Sequence, residues 1–304
     1  MVQTSSGPHF VTLGMFIVDE FAFADEDGRP TGKIAAPQIG GGGTYAAIGA
    51  RIWLQPQQIG MIVDRGHDFP QNIQESLDHF GPEMWHFRDQ TCGTTRALNS
   101  YKGDHRDFEY LTPRIRITPK DLDGTRIARP TTLHFICSPT RALSIISEVE
   151  EIEGWNPRMI YEPIPYRCVP DELPSLVKAM SSIFVLSPNA EEALALLSVS
   201  EEPSIENIER AAQRFIDIGV GKAGDGFVII RSGPLGAYVL SRAKGGQWIE
   251  AYWTDAQKDK VVDVTGAGNS FLGGLAAGLR FTSDVYEGMF FPYISLTMLL
   301  NVRI

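Results

Sequence analysis

The stretch DVTGAGNSFLGG, residues 263–274, sets a turn of very small residues before an apolar run. Gly266, Ala267 and Gly268 let the backbone turn sharply and expose its amides. The first amides of a helix beginning there have no internal acceptor, and the helix dipole adds to their pull on a negative group. This is chemistry for holding a phosphate. Thr265 precedes the turn and Asn269 follows it. An amide side chain can hold a hydroxyl group, but it has no useful basicity near neutral pH.

Other polar residues extend the set. Asp19, closing the apolar run HFVTLGMFIVDEF (9–21), can grip hydroxyls through charge-assisted hydrogen bonds or stay solvated at a strand end. Asn189 and Glu192, three apart in PNAEEA, can reach a hydrated Mg2+ through water; the same pair also reads as an N-cap with an acidic first turn. Arg96 and Arg106 can meet a phosphate or a negatively charged ligand, or serve as solvated surface charge.

Several classes are excluded. Six histidines show no compact ligand spacing, which argues against a structural zinc site, and no serine stands in a G-x-S-x-G setting. GxxxxGK is absent, and no GxGxxG follows the first strand, so this is neither a P-loop nor a Rossmann fingerprint. Lys plus Arg number 27 against 37 for Asp plus Glu, with no basic arm, so direct nucleic-acid binding is not expected. Three scattered cysteines point to a reducing compartment. No leader or long uncharged apolar run appears, and the expectation is a soluble, cytoplasmic chain with no membrane partner.

A scaffold must bring these groups together. With 304 residues, 43% of them hydrophobic, the chain can bury a sizeable core. HFVTLGMFIV reads as a first central strand delivering Asp19 at its end, and ADEDGRPTG as a turn-rich excursion. Four glycines, 40–43, lead into an alanine-rich helical segment; QQIGMIV (57–63) reads as a strand, and FPQNIQESLDHF (69–80) as a surface helix carrying Ile73 and Leu77. The stretch 88–117 mixes Thr, Tyr and Phe with polar residues, which fits a small two-sided sheet or lid.

From residue 131 short apolar strands alternate with capped helical patterns, which predicts parallel strands joined by crossover helices. SIENIERAAQRFIDI (204–218) opens on Ser204 with Asn207 three residues on, a weak capping box, and GFVIIRSGPLGAYVLSR (226–242) reads as two strands around a turn. Beyond Asn269, Phe271, Leu272 and Leu275 form an apolar face, while Gly273, Gly274 and Gly278 allow close packing. The fold expected is one doubly wound, mostly parallel α/β domain over 1–304, with small β excursions near 20–38 and 90–117. Ligands of such folds gather at the carboxyl ends of the strands.

DVTGAGNSFLGG resembles the carboxyl-terminal signature of the PfkB, or ribokinase, family of carbohydrate and nucleoside kinases, whose usual form is D-T-x-G-A-G-D-x-F. Asp19 with the glycines 40–43 resembles that family's sugar-binding entrance, PNAEEA its magnesium-linked Asn-x-x-Glu motif, and SGPLG (232–236) its nucleotide-side turn. The matches keep the family's order from about residue 10 to 280, and GGGGTY with GAGN is most similar to a divergent fungal branch. The resemblance implies a ribokinase-like fold, ATP as donor, Mg2+ as helper and a small hydroxyl-bearing acceptor, sugar-like or nucleoside-like. The β excursions would form a lid, which also offers a surface for a homodimer. By resemblance, Gly266, Ala267, Gly268 and Asn269 belong to the catalytic turn, and Asp19, Gly41, Gly42, Tyr45 and Arg96 to the acceptor. Thr265, Ser232, Gly233 and Gly236 fall to the nucleotide, and Asn189 and Glu192 to the metal.

Three departures stand against that pattern. Position 269 would be the catalytic base, and here it is asparagine. General-base assistance is worth about 100- to 10,000-fold, so a slow kinase is expected, speeded by Asn269→Asp. Asp263, upstream of the turn, reads as an orienting carboxylate and not as a replacement. Tyr45 stands where the family has an asparagine against the acceptor, either touching ligand or half-buried in a helix. After residue 280 only FTSDVYEGMFFPYISLTMLLNVRI follows, a shortened end where the family continues with segments that enclose adenine; its apolar part, 286–300, reads as packed. Two alternatives remain open: a non-catalytic ligand- or protein-binding pseudokinase on this scaffold, and a non-kinase enzyme reusing its cleft.

Overall fold

The computed structural model describes residues 7–102, 105–253, 261, 264–292 and 295, apart from the side chains of His105 and Arg106. The expectations for Asp263, for the Arg106 side chain and for most of 293–304 lie outside the described residues.

In chain order the strands are β1 (Phe10–Thr12), β2 (Ile17–Ala24), β3 (Gln38–Gly40), β4 (Ile59–Arg65), β5 (Trp85–Asp89), β6 (Arg96–Lys102) and β7 (His105–Tyr110). They continue as β8 (Thr132–Cys137), β9 (Arg158–Pro163), β10 (Val185–Leu186), β11 (Phe227–Arg231), β12 (Ala237–Ser241) and β13 (Gly245–Ile249). Among the described residues a nine-stranded sheet runs β13-β12-β11-β10-β9-β8-β1-β4-β5. Pairing is parallel from β11 to β5 and antiparallel where β12 and β13 join the edge.

The helices are α1 (Gly42–Arg51), α2 (Gln71–Phe80), α3 (Pro139–Glu151), α4 (Leu173–Met180), α5 (Ala190–Leu196), α6 (Ile205–Ile218), α7 (Ala267–Gly278) and α8 (Val285–Gly288). Successive strand residues feed opposite cores, as strands buried on both faces must. Met159 and Tyr161 of β9 pack with Ile145 of α3, Leu176 of α4 and Phe215 of α6. Ile160 between them joins Ala46 of α1, Leu77 of α2 and Leu272 of α7. This is the doubly wound arrangement that the alternation of strand and helix patterns predicts. Ser204 caps α6 by accepting from the Asn207 amide, but the Asn207 side chain turns to the Glu202 carbonyl, so only half of the capping box forms.

One expectation changes. HFVTLGMFIVDEF is not a single central strand: β1 ends at Thr12, and β2 belongs to a separate four-stranded sheet ordered β3-β2-β6-β7. The chain leaves the large sheet at Gly14, whose amide donates to Thr12 Oγ1 at 3.0 Å. A Cβ at Gly14 would lie 2.5 Å from Gly43 Cα, so the exit is pressed against the start of α1. Asp19 therefore rides on β2, paired with Gln38 and Ala97.

Arg96 ties this small sheet down, with Nη1 2.9 Å from Glu20 Oε1 and Nη2 2.9 Å from Asp68 Oδ2. Helices α1 and α7 meet without intervening side chains: a Cβ at Gly273 would lie 1.9 Å from the Ala46 carbonyl oxygen. Among the described residues no helix is long and apolar enough to cross a membrane.

Candidate active site

The carboxyl ends of β8 and β9, the start of α7 and the small sheet surround a cavity of about 580 Å3. Asp19, Gly41, Gly42, Tyr45, Glu192, Thr265, Gly266 and Asn269 all line it, although they come from distant parts of the chain. Ala267, Gly268, Asn189, Ser232, Gly233 and Gly236 are not among its lining residues, and Arg96 is held outside it by Glu20 and Asp68.

The glycine turn has the geometry its composition requires. Gly266 caps α7 in the left-handed region, φ 74°, where a side chain is disfavoured. A Cβ there would also lie 2.1 Å from Tyr45 Cγ, so the ring of Tyr45 supports the turn from behind. The Tyr45 hydroxyl donates to the Ile39 carbonyl, which makes this residue a buried helix aromatic that also borders the cavity. The first bond within α7 is Ser270 N–H to the Gly266 carbonyl at 2.8 Å. The Gly268 and Asn269 amides before it find no acceptor among the described residues.

Three side chains absent from the predicted set organise the centre. Arg231, at the end of β11, lays its guanidinium on the turn: a Cβ at Gly268 would lie 2.0 Å from Nη1. Its Nη2 is 2.9 Å from Glu162 Oε1 and 3.8 Å from Glu192 Oε2, and it donates to the Ser187 carbonyl at 3.0 Å. Arg231 Nε is buried and has no acceptor among the described residues. Glu162, at the end of β9, accepts from Asn269 Nδ2 at 2.8 Å through Oε2, which also faces His134 Nε2 at 3.6 Å.

The electrostatics follow from these contacts. Burial works to raise the Glu162 pKa, but the Arg231 guanidinium, His134 and Asn269 together hold it below the usual carboxylate range. Burial dominates at Glu192, and with Glu162 nearby it pushes that carboxyl up to about 7 against the pull of Arg231. Both Glu192 oxygens accept from Asn189, one from its amide at 2.8 Å and one from Nδ2 at 3.0 Å, while Asn189 Oδ1 caps the Glu192 amide. The helix-cap reading thus holds, and the same carboxylate borders the cavity. At the opposite wall, a Cβ on Gly40 would lie 2.1 Å from Asp19 Oδ2, so the glycine run lets that carboxylate sit against backbone.

Arginines border the outer cavity. Arg114, Arg116, Arg141 and Arg167 all line it. Arg114 lies over the Tyr110 ring and donates to the Tyr166 hydroxyl, and Arg167 pairs with Glu172. Arg116 and Arg141 make no ion pair among the described residues, and Arg141 Nη2 donates to the Ile117 carbonyl at 3.0 Å.

The missed residues carried a readable signal. Glu162 closes the apolar strand RMIYEP as Asp19 closes its own run, and Arg231 ends FVIIR immediately before SGPLG. A charge at the inner end of a buried strand is costly unless it is paired, so each implied a partner. Nothing in either run says that they would pair with each other.

Residues 162–287 match the model of the pfkB family of carbohydrate kinases. The chain belongs to that family, and within it to the divergent fungal branch that GGGGTY and GAGN indicate. An uncharacterized protein of Schizosaccharomyces pombe is 31% identical over 94% of this chain and 82% of its own length. Protein MAK32 of Saccharomyces cerevisiae is 35% identical over 90% of this chain and 79% of its own. Among solved structures, Arabidopsis thaliana ribokinase complexed with ribose and ATP shares the fold, with a TM-score of 0.69 at 17% identity over 98% of this chain and 94% of that one.

Proposed function

We propose that this protein is an ATP-dependent kinase that transfers a phosphoryl group to a hydroxyl of a small, negatively charged polyol or sugar derivative. The observation that carries this reading is that the head of α7, with the Arg231 guanidinium against Gly268, borders through Gly266 and Asn269 a cavity that Asp19 also walls.

The donor set fits a triphosphate. Two amides with no acceptor among the described residues, the α7 dipole and a buried guanidinium whose Nε–H likewise has none among them all favour anionic oxygen. When both are ionised, Glu162 and Glu192 outweigh Arg231 by one negative charge, and burial, with Glu162 beside it, pushes the Glu192 carboxyl up to about 7. A hydrated Mg2+ reached by Glu192 and Asn189 would relieve this; when bound it neutralises phosphate charge. The turn at Ser232, Gly233 and Gly236 follows Arg231 directly and would flank the nucleotide. Asp19 would accept hydroxyl hydrogens of the acceptor while Asn269 orients the reacting one. Arg116 and Arg141 favour an acceptor bearing a carboxylate or phosphate, which their planar forks bind well.

The test is Mg2+-dependent ADP formation from ATP with ribose, adenosine, gluconate and ribose 5-phosphate as acceptors. Turnover is expected, fastest with the two anions. ADP formation with none of the four, at full folding, would remove the kinase reading. Asn269 at the base position favours a second one, a pseudokinase: it predicts heat of binding with magnesium–ATP or an acceptor and no ADP.

A further inference from the structure

We propose that Glu162 is the proton acceptor of the transfer, a carboxylate supplied from the end of β9 in place of one at the head of α7. The inference rests on the kinase reading above and adds the residue that makes turnover possible despite Asn269.

The geometry places the two side chains as one unit. Asn269 Nδ2 donates to Glu162 Oε2 at 2.8 Å, and both residues line the cavity. That bond turns the amide nitrogen toward the carboxylate and uses one of its two hydrogens; the other can donate to the oxygen of the reacting hydroxyl, which leaves the hydroxyl's own hydrogen for Glu162. Glu162 Oε1 is held by Arg231 at 2.9 Å, so the carboxylate cannot swing away. A buried chain supports it from behind. The Gly14 amide donates to Thr12 Oγ1 at 3.0 Å, and Thr12 Oγ1 lies 3.0 Å from His134 Nδ1. With Oγ1 accepting from Gly14, its hydrogen is directed to Nδ1, which leaves the ring hydrogen on Nε2, 3.6 Å from Glu162 Oε2 and without a hydrogen-bond partner among the described residues. Glu192 differs in its donors: Asn189, and not Asn269, donates to both of its oxygens.

In the step proposed, the hydroxyl oxygen forms a bond to the terminal phosphorus of ATP. The bond from that phosphorus to the bridging oxygen breaks, and its electron pair leaves with ADP. The hydroxyl proton passes to Glu162 Oε2 and later to water. A loose transition state demands little basicity, so a carboxylate kept ionised by an arginine suffices.

The structure also reverses the expectation for Asn269→Asp. That change puts a second carboxylate oxygen where Nδ2 now donates, 2.8 Å from Glu162, and two carboxylates that close hold one proton between them. N269D alone is expected to lower kcat, and a tenfold gain would overturn the proposal.

The decisive set is E162Q, E162D and the swap E162Q/N269D, assayed for ADP formation with ribose 5-phosphate and gluconate, and for binding of a non-hydrolysable magnesium–ATP analogue by calorimetry. E162Q is expected to keep analogue affinity within about threefold while kcat falls at least ~100-fold. E162D, which keeps the charge beside Arg231, is expected to lie between wild type and E162Q. The swap returns one carboxylate to the site and is expected to recover at least tenfold over E162Q. Glu162 is not the acceptor if E162Q turns over within threefold of wild type, or if the folded swap is as slow as E162Q; both results leave the kinase reading intact. A wild type that forms no ADP sinks both together, and analogue binding then separates a pseudokinase from a chain with no nucleotide site.

Discussion

Arg231 is the residue on which the charges of the site balance. It faces two carboxylates, its side chain is 12% exposed against 8% and 6% for Glu162 and Glu192, and it lies on the turn that would receive phosphate. Its removal strands the buried Glu162 carboxylate without that counterion and drives Glu192, already raised to about 7, toward its neutral form. Arg231→Met is expected to cost about 3–5 kcal/mol in unfolding free energy, measured by urea denaturation at neutral pH. Most of that loss should return when Glu162 and Glu192 are also made glutamine, because the penalty comes from the stranded charges. A loss under about 1 kcal/mol would mean that water already solvates the carboxylates, and the tight triad described here would be wrong.

The elements explain why such a triad can be built. Each of its members ends a strand or opens a helix, so rigid backbone fixes where each side chain begins. The turn at 266–268 is positioned by the packing of α7 on α1, and that packing has no room to spare. Gly273→Ala would set a Cβ 1.9 Å from the Ala46 carbonyl oxygen. Alanine favours a helix over glycine by roughly 1 kcal/mol, but overpacking between fixed backbones costs about 1–3 kcal/mol, so the variant is expected to be destabilised. Thermal unfolding checks the sign. Because the helices must part to admit the methyl group, magnesium–ATP affinity should fall as well, whereas a change at an exposed position of α2 should leave it alone.

For the molecule as a whole, the end of the sheet opposite the cavity has its own signature. His9, at the entry to β1, donates from Nε2 to the Ala276 carbonyl near the end of α7, and the Thr131 hydroxyl lies 2.8 Å from Nδ1. Burial, with Arg280 and Arg158 adding to it against the bond to Ala276, lowers its pKa to about 4. The neutral ring is what the fold accepts. The stability it contributes is therefore complete above the unfolded value of 6.5 and is lost as pH falls from there to about 4. Between pH 7.5 and 4.5 the wild type should lose about 2–3 kcal/mol relative to His9→Gln, whose side chain does not titrate. Parallel urea titrations at the two pH values read this difference directly, and equal losses would show that His9 is not held neutral.

Much of this was legible in the chain. The alternation after residue 131, the glycine runs at 40–43 and 266–268 and the small two-sided excursion specified a doubly wound fold with a second sheet, because burial on two faces and sharp turns both leave local marks. The residues and the family resemblance singled out Asp19, Glu192 and Asn269, which the structure sets along one cavity, without their partners. Local pattern could not show that HFVTLGMFIVDEF breaks at Gly14, since the break depends on contact with Gly43, nor that Arg96 would be spent on Glu20 and Asp68. Above all it could not pair Glu162 with Asn269, 107 residues apart, or lay Arg231 on Gly268. Types and turns are set by each residue's own chemistry and its near neighbours, whereas the identity of a charge's partner is settled only when the strands have chosen their order in the sheet.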